Sequence, residues 1–274
     1  MVKKLLKSPQ ALIGLILIAL VIIAAMAAPL LAPNDPNQVD ITKKYLEPSA
    51  EYPLGCDALG CCEMSRLLYG ARYSISISLP VLVLLAAIGL ALGTLSACAG
   101  EKAGRAMTAL CDTFISFPSL IIAVAVIGIL GNGLQNLVIA LIIAMWAWFT
   151  RMVRAYAVSE MGKDYIVSAR IAGCGTLKLI TRHLIPNIMP QFFVYLTTGV
   201  ASSILMVSSF AFLGLGLPTG TSEWGAMLND ARACIYSHPE LLIYPGICIM
   251  LTAAGFNLFG EALRDVLTPE EEAL

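Results

Sequence analysis

Cys234 and His238 stand four residues apart. On a helix that spacing sets a thiol and an imidazole on one face, a pairing suited to a soft metal. Cys61-Cys62 adds two thiols in another polar segment. Neither set defines a coordination geometry, because closed sites take four ligands and open ones three. Pro239 also follows His238 directly and ends a helix there. Other catalytic signatures are missing. Gly162-Lys163 is followed by Asp164 rather than Ser or Thr and lacks an upstream glycine, so it is not a P-loop. HExxH and GxSxG are absent too, which leaves no visible site for a membrane protease or acyl hydrolase.

The elements that carry these residues are set by composition. Hydrophobic residues make up 58% of the 274 and charged residues 13%, against about 45–50% and about 25% in soluble domains. The apolar residues come in blocks without charge: Ser8–Asn34, Tyr73–Gly100, Thr113–Thr150, Leu184–Ser222 and Leu241–Gly260. A helix needs about 20 apolar residues to cross the hydrocarbon core. The third block is too long for one crossing and divides at Gly131-Asn132-Gly133. The pattern predicts an all-α integral membrane protein, one domain over 1–274, with six spans at 11–32, 74–98, 107–130, 134–150, 191–213 and 241–262. Barrel strands would be shorter and alternating. Pro118 is expected to kink the third span.

The first span could instead be a cleaved signal peptide, given Lys3, Lys4 and Lys7 and the Ala25-Met26-Ala27 site. Its length and the five spans that follow favour an uncleaved helix. With the N-terminus inside, the inner segments hold Lys3, Lys4, Lys7, Lys102, Arg105, Arg151, Arg154, Lys163, Arg170, Lys178, Arg182 and Arg264. The outer ones hold Lys43, Lys44, Arg66, Arg72 and Arg232. That asymmetry predicts both termini in the cytoplasm. A net charge of −1 gives no reason to expect nucleic-acid binding.

On this topology Cys56, Cys61, Cys62 and Cys234 face outward, where disulfides can form. Cys98, Cys111, Cys174 and Cys248 read as packing or cytoplasmic residues. Asp112 and Glu261 lie near helix ends and Asp265 just beyond, so mid-membrane carboxylates of an ion-coupled transporter are missing. No internal repeat supports an inverted-repeat transporter.

Two polar segments remain. The outer one, 33–72, opens on the turn Pro33-Asn34-Asp35-Pro36 and ends in Met64–Arg72, which predicts a short amphipathic helix lying at the interface. The inner one, 151–190, contains a short helical pattern from Asp164 to Ala172, with Asp164 expected to cap it and Gly173 to end it. Tyr165, Ala169 and Ala172 share one face of that helix. A second short helix from Thr176 is expected to stop near Pro186-Asn187. A short helix tied between two membrane helices suits docking into a groove on a partner. A loop packed on lipid headgroups would explain the positive charges but not the small-residue face.

The inner segment resembles the coupling loop of binding-protein-dependent ABC importer permeases. Val167-Ser168-Ala169 occupies the EAA positions of that signature, Gly173 its glycine, and His183-Leu184-Ile185-Pro186 its I-x-L-P. The usual Glu is missing and His183 replaces Ile. Leu54–Cys62 with Ser65-Arg66-Leu67 resembles the LGTDxLGRDxxSRL element of the dipeptide, oligopeptide and nickel branch, Cys61 and Cys62 replacing its Arg-Asp pair. Phe212–Gly216 resembles its FLGLG element and Trp224-Gly225 its WG. Trp146–Arg154 and Ser222–Arg232 look most like the nickel permeases.

The resemblance implies a non-catalytic permease for nickel or a nickel chelate, with dipeptides or oligopeptides as the alternative. It implies a second, similar permease, two cytoplasmic ATPases, an extracytoplasmic substrate-binding protein and a lipid bilayer around them. The chain would carry no cofactor, ATP and magnesium belonging to the ATPases. Coupling would fall to Asp164, Tyr165, Ala169, Arg170, Gly173 and Pro186. Glu223, Trp224, Asp230 and Arg232 would meet the binding protein, unless an internal Asp230–Arg232 or helix-terminal contact uses them. An uncoupled channel or structural membrane subunit is the reading of another class, and the coupling-loop spacing argues against it.

Overall fold

A computed structural model of the chain describes residue 5, residues 7–218 and residues 220–267. Lys3 and Lys4, counted above with the inner charges, lie outside the described residues. The described part is helical, with one isolated antiparallel bridge between Cys56 and Cys62.

Helix α1 (Pro9–Leu31) starts at Ser8, whose hydroxyl accepts the Ala11 N–H, and Pro9 supplies a first-turn residue that needs no donor. It packs against the last helix and against α2 (Glu63–Cys98). The 36 residues of α2 reach about 54 Å, well beyond the ~30 Å hydrocarbon core. The stretch Met64–Arg72 is therefore not a separate interfacial helix. It forms the opening turns of α2, and Arg66 in it is buried rather than facing headgroups. No Pro or turn signal separates these turns from the apolar run. Pro80 sits inside α2 without ending it.

The expected third span is two helices, α3 (Glu101–Ile115) and α4 (Ser119–Leu130), bent by 82° at Pro118. Pro118 drives its predecessor out of the helical region and brings no N–H, so the kink becomes a break. Asn136 closes the next turn by donating to the carbonyls of Leu130 and Gly131. Helix α5 (Leu134–Met161) then runs eleven residues past the predicted end at 150. The charges that suggested that end are used on its flank. Arg151 pairs with Asp112 of α3 at 2.5 Å, and the Arg154 Nε donates to the Thr108 hydroxyl at 3.1 Å.

After the short α6 (Asp164–Ile171), α7 (Thr176–Leu179) passes through a wide π-type turn (Ile180–Leu184) into α8 (Ile185–Phe212). The second short helix thus does not stop near Pro186. The Pro186 ring would clash with the carbonyl four residues back, and widening the turn before it removes that conflict. Helices α9 (Trp224–Ala231) and α10 (Glu240–Leu267) are the last α-helices among the described residues.

Helices α1, α2, α5, α7–α8 and α10 are each long and apolar enough to cross a bilayer, and the α3–α4 pair passes the same test as a bent unit. One core cluster joins Val81 and Leu85 of α2 to Leu137, Leu141 and Phe149 of α5 and to Val207 and Phe210 of α8.

Candidate functional site

Two groups of residues on this frame can do more than pack. The first is the α6 region. Lys163, not Asp164, occupies the N-cap position, and no side chain caps this helix. Asp164 lies in the first turn, where its charge favours the positive end of the helix dipole. Gly173 has φ +79°, and the N–H groups of Gly173 and Cys174 bond to the carbonyls of Arg170 and Ala169 at 2.9 and 3.0 Å. This is the left-handed helix end for which glycine was expected. Ile166 is the one fully buried residue of α6. The Tyr165 hydroxyl donates to Glu160 Oε1 at 2.7 Å, and Lys163 pairs with the same carboxylate at 2.8 Å. Both tie α6 to the end of α5. Arg170 approaches the Met161 sulfur at 3.6 Å, Ala169 is half-buried, and Pro186 is exposed at the start of α8.

The outward side of this region carries apolar residues that the small-residue face did not anticipate. Ile171 is 82% exposed and Leu177 74%, with Val167 one turn before Ile171. A Cβ built on Gly173 meets nothing within 4 Å. Lys163, Arg170 and Lys178 are exposed in the same segment, so these apolar side chains stand among positive charges. Apolar residues inside a positively charged segment were the signal available for this.

The second group lies at the opposite end of α2. The Arg66 guanidinium is buried between two carboxylates: Nη1 contacts Asp57 Oδ2, and Nη2 bonds to Asp230 Oδ2 at 2.9 Å and to the Thr221 carbonyl at 3.2 Å. The other oxygen of Asp57 accepts the N–H groups of Leu59 and Cys61. Glu63, also buried, lines the same small cavity. The Cys61-Cys62 exchange therefore leaves an ion network standing, built from Asp57, Arg66 and Asp230.

Glu223 caps α9 through the Ala226 N–H at 2.9 Å, and its other oxygen accepts the hydroxyls of Ser74 and Ser208 at 2.9 and 3.1 Å. The Trp224 indole N–H donates to the Leu67 carbonyl at 3.1 Å and lies over Gly70. Glu223, Trp224 and Asp230 thus point into this chain, joining α9 to α2 and α8. Asp230 pairs with Arg66 and not with Arg232. Arg232 alone of the four is exposed, its guanidinium 5.3 Å from the Phe212 ring centre.

Gly225 shows why the motif needs glycine. A Cβ there would stand 2.2 Å from the Ser208 carbonyl oxygen and 2.5 Å from its Cα. Backbone on backbone cannot yield as a side chain does. Gly225→Ala is expected to destabilise the protein by about 1–3 kcal/mol, read as a lower thermal midpoint of the purified protein.

Cys234 and His238 each have partners of their own. The Cys234 thiol, buried, donates to the Ala231 carbonyl at 3.2 Å. His238 stacks on Tyr45 at 4.2 Å, and its Nδ1 lies 3.1 Å from Glu240 Oε1. A 3₁₀ turn and a tight turn replace the continuous helix that would have aligned them. Among the described residues no group of three or more His, Cys, Asp or Glu could hold a metal ion.

Between α2, α8 and α10 opens an apolar groove of about 900 Å³, lined by Leu82, Leu90, Met189, Phe193 and Leu263 among others.

Comparison with known proteins adds the following. Residues 89–271 match the family described as the binding-protein-dependent transport system inner membrane component, and residues 1–48 match the N-terminal transmembrane domain of oligopeptide transport permease C. The chain is 35% identical to the nickel transport system permease protein NikC of Escherichia coli (strain K12), over 94% of this chain and 93% of that one. It is 38% identical to the di/tripeptide transport system permease protein DppC of Pseudomonas aeruginosa (strain UCBPP-PA14), over 94% and 87%. It is 34% identical to the metal-staphylopine import system permease protein CntC of Staphylococcus aureus (strain NCTC 8325 / PS 47), over 97% and 92%.

Proposed function

The chain belongs to the permease subunits of binding-protein-dependent ABC importers, and from that premise we propose that its cargo is nickel held in a small chelate. The similarity to a nickel permease and to a metal-staphylopine permease supports a metal cargo. The carrying observation is that two relatives, each aligned over more than nine tenths of this chain, are named for nickel transport and metal-staphylopine import. A bare divalent ion would have to shed its water against apolar walls at great cost, and a chelate would not. Selection then rests with the substrate-binding protein. The similarity to a di/tripeptide permease favours the second reading, import of short peptides.

In this proposal a second, similar permease completes the pathway, and two cytoplasmic ATPases receive the α6 regions. ATP and magnesium belong to those ATPases. Both termini and 151–190 lie in the cytoplasm, and 33–72 lies outside with α9, where the substrate-binding protein docks and Arg232 is an exposed contact. ATP binding closes the ATPase pair and moves α6. Because α6 hangs between α5 and α7–α8, the push reaches both spans and turns access from one side to the other.

Deleting the gene is expected to abolish a nickel-dependent enzyme activity at low external nickel and to leave it intact at high nickel. Cys234→Ala and His238→Ala should each keep uptake of labelled nickel within about twofold of wild type, since deleting an ordinary buried packing or surface contact costs little beyond ~1 kcal/mol. Loss of growth on dipeptides with nickel uptake unchanged would replace this cargo by peptides.

A further inference from the structure

Cys56 and Cys62 face each other across the isolated antiparallel bridge. The hydrogen bonds beside them run from the Asp57 N–H to the Cys61 carbonyl (3.0 Å) and from the Glu63 N–H to the Gly55 carbonyl (3.1 Å). That pattern makes 56 and 62 a non-hydrogen-bonded pair, the kind in which side chains approach most closely. Such pairs hold their Cα atoms about 4.5 Å apart, inside the span of about 4.4–6.8 Å that a disulfide bridges. Both side chains are buried, at 3% and 2% exposure, and share one cluster with Tyr52. Cys61 comes off the opposite side of the extended segment, and its N–H donates to Asp57 Oδ1 at 2.9 Å. In this structure the eight cysteines are free thiols.

We propose that Cys56 and Cys62 are oxidised to a disulfide that staples the segment bearing Asp57. The inference rests on the topology proposed above, which sets this segment on the oxidising side of the membrane. The oxidant is a disulfide of that compartment, either a thiol–disulfide oxidoreductase or a small-molecule disulfide. One cysteine, as thiolate, attacks a sulfur of the oxidant and expels one of its thiolates. The other cysteine then attacks the mixed disulfide and expels the second. One S–S bond forms in the chain and one breaks in the oxidant. The chain loses two protons and two electrons, and the oxidant leaves as two thiols. Closure belongs to folding, before Tyr52 covers the pair. Once covered, the Cys56 thiol is pushed up to about 11 by burial and by Cys62, and little thiolate remains to react.

The staple bears on the ion network directly. Asp57 lies inside the closed segment and holds both Arg66 and the Cys61 N–H. Trypsin makes the test clean, because Cys56, Cys61 and Cys62 fall on one peptide, Tyr45–Arg66. Cells making the full chain with Cys61→Ala are quenched in acid, denatured, alkylated with N-ethylmaleimide and digested. The unreduced peptide is expected to carry no maleimide and to be lighter by two hydrogen atoms. After reduction it should take two maleimides. In the wild-type chain, tandem mass spectrometry should place a maleimide on Cys61 alone. Two maleimides on the unreduced Cys61→Ala peptide, or a Cys61–Cys62 bond in wild type, would overturn the proposal.

Failure of the topology is read separately. A Lys178→Cys chain whose native cysteines are replaced by alanine should react with an impermeant maleimide only after the membrane is opened. If it reacts from outside, the wild-type chain synthesised cell-free into lipid vesicles with oxidised glutathione present, so that the thiols meet the oxidant while the chain folds, decides the geometry by itself. Closure of 56 to 62 there keeps the pair, and failure to close ends it.

Discussion

A Gly173→Asp chain is expected to reach the membrane in normal amount and to import at about a tenth of the wild-type rate or less. The two effects separate because of where Gly173 sits. Its φ of +79° belongs to the left-handed region, which Asp enters more readily than other side chains. A Cβ at this position meets no atom of the chain itself. Folding therefore bears only the strain of a left-handed backbone, about 1–2 kcal/mol. A partner surface closing over this helix end does not tolerate the change, because it would bury an unpaired carboxylate at a cost of about 2–5 kcal/mol. Each ~1.4 kcal/mol is a factor of ten in binding. Uptake in cells and substrate-stimulated ATPase activity of the reconstituted complex are the readouts. Gly173→Asn, with the same shape and no charge, should fall between wild type and Asp. Normal uptake with stimulated ATPase activity in Gly173→Asp would remove the coupling role from this helix.

The largest effect on folding is expected at Arg66. Its side chain is 1% exposed, and those of Asp57 and Asp230 are 7% and 12% exposed. Arg66→Met leaves two buried carboxylates facing each other with no counter-charge, a loss of about 3–5 kcal/mol. That is a large part of the stability of an ordinary domain, so the variant should accumulate poorly and melt well below wild type. Adding Asp57→Asn and Asp230→Asn should recover much of the loss, since neutralising a whole buried ion cluster is often close to neutral. With Asp57→Asn, the side-chain amide oxygen can still accept the Leu59 and Cys61 N–H groups. Heating followed by size-exclusion chromatography of detergent-solubilised protein compares the variants. An Arg66→Met chain as stable as wild type would show that the network carries little of the fold.

The membrane-spanning plan was legible because charge-free blocks of that length have few other uses, and Gly173 because a glycine after a short helical pattern has a narrow set of meanings. Pro118 announces only a kink, since the severity of the break depends on what the two halves pack against. Helices α2 and α5 run beyond the expected spans, and the charges there hid it: Arg66 and Arg154 read as marks of water, whereas each has a partner from a distant part of the chain. Arg66 finds its second carboxylate 164 residues away, a separation no local pattern reports. The same blindness left Glu223 and Asp230 open between docking to a partner and an internal or helix-terminal contact, and set Trp224 with them. Charge and aromaticity at a polar mouth look alike whether they serve a partner or brace a helix cap, and only the Ser74, Ser208 and Leu67 contacts decide between the two.

Pro80 stands near the middle of α2. The half before it, through Arg66, Gly70 and Ser74, is clamped to α9 and to the Asp57 segment. The half after it lies along α5, with Gly89 on Phe149 and Gly93 on Val153. At most points along a helix, bending must stretch a backbone hydrogen bond. Pro80 has no N–H to give to the Ser76 carbonyl, so bending here has none to break. This long rod therefore has its joint between its two loads. The half after Pro80 can lean with α5 while the half before it stays seated, so movement at one end of the rod need not dislodge what is held at the other.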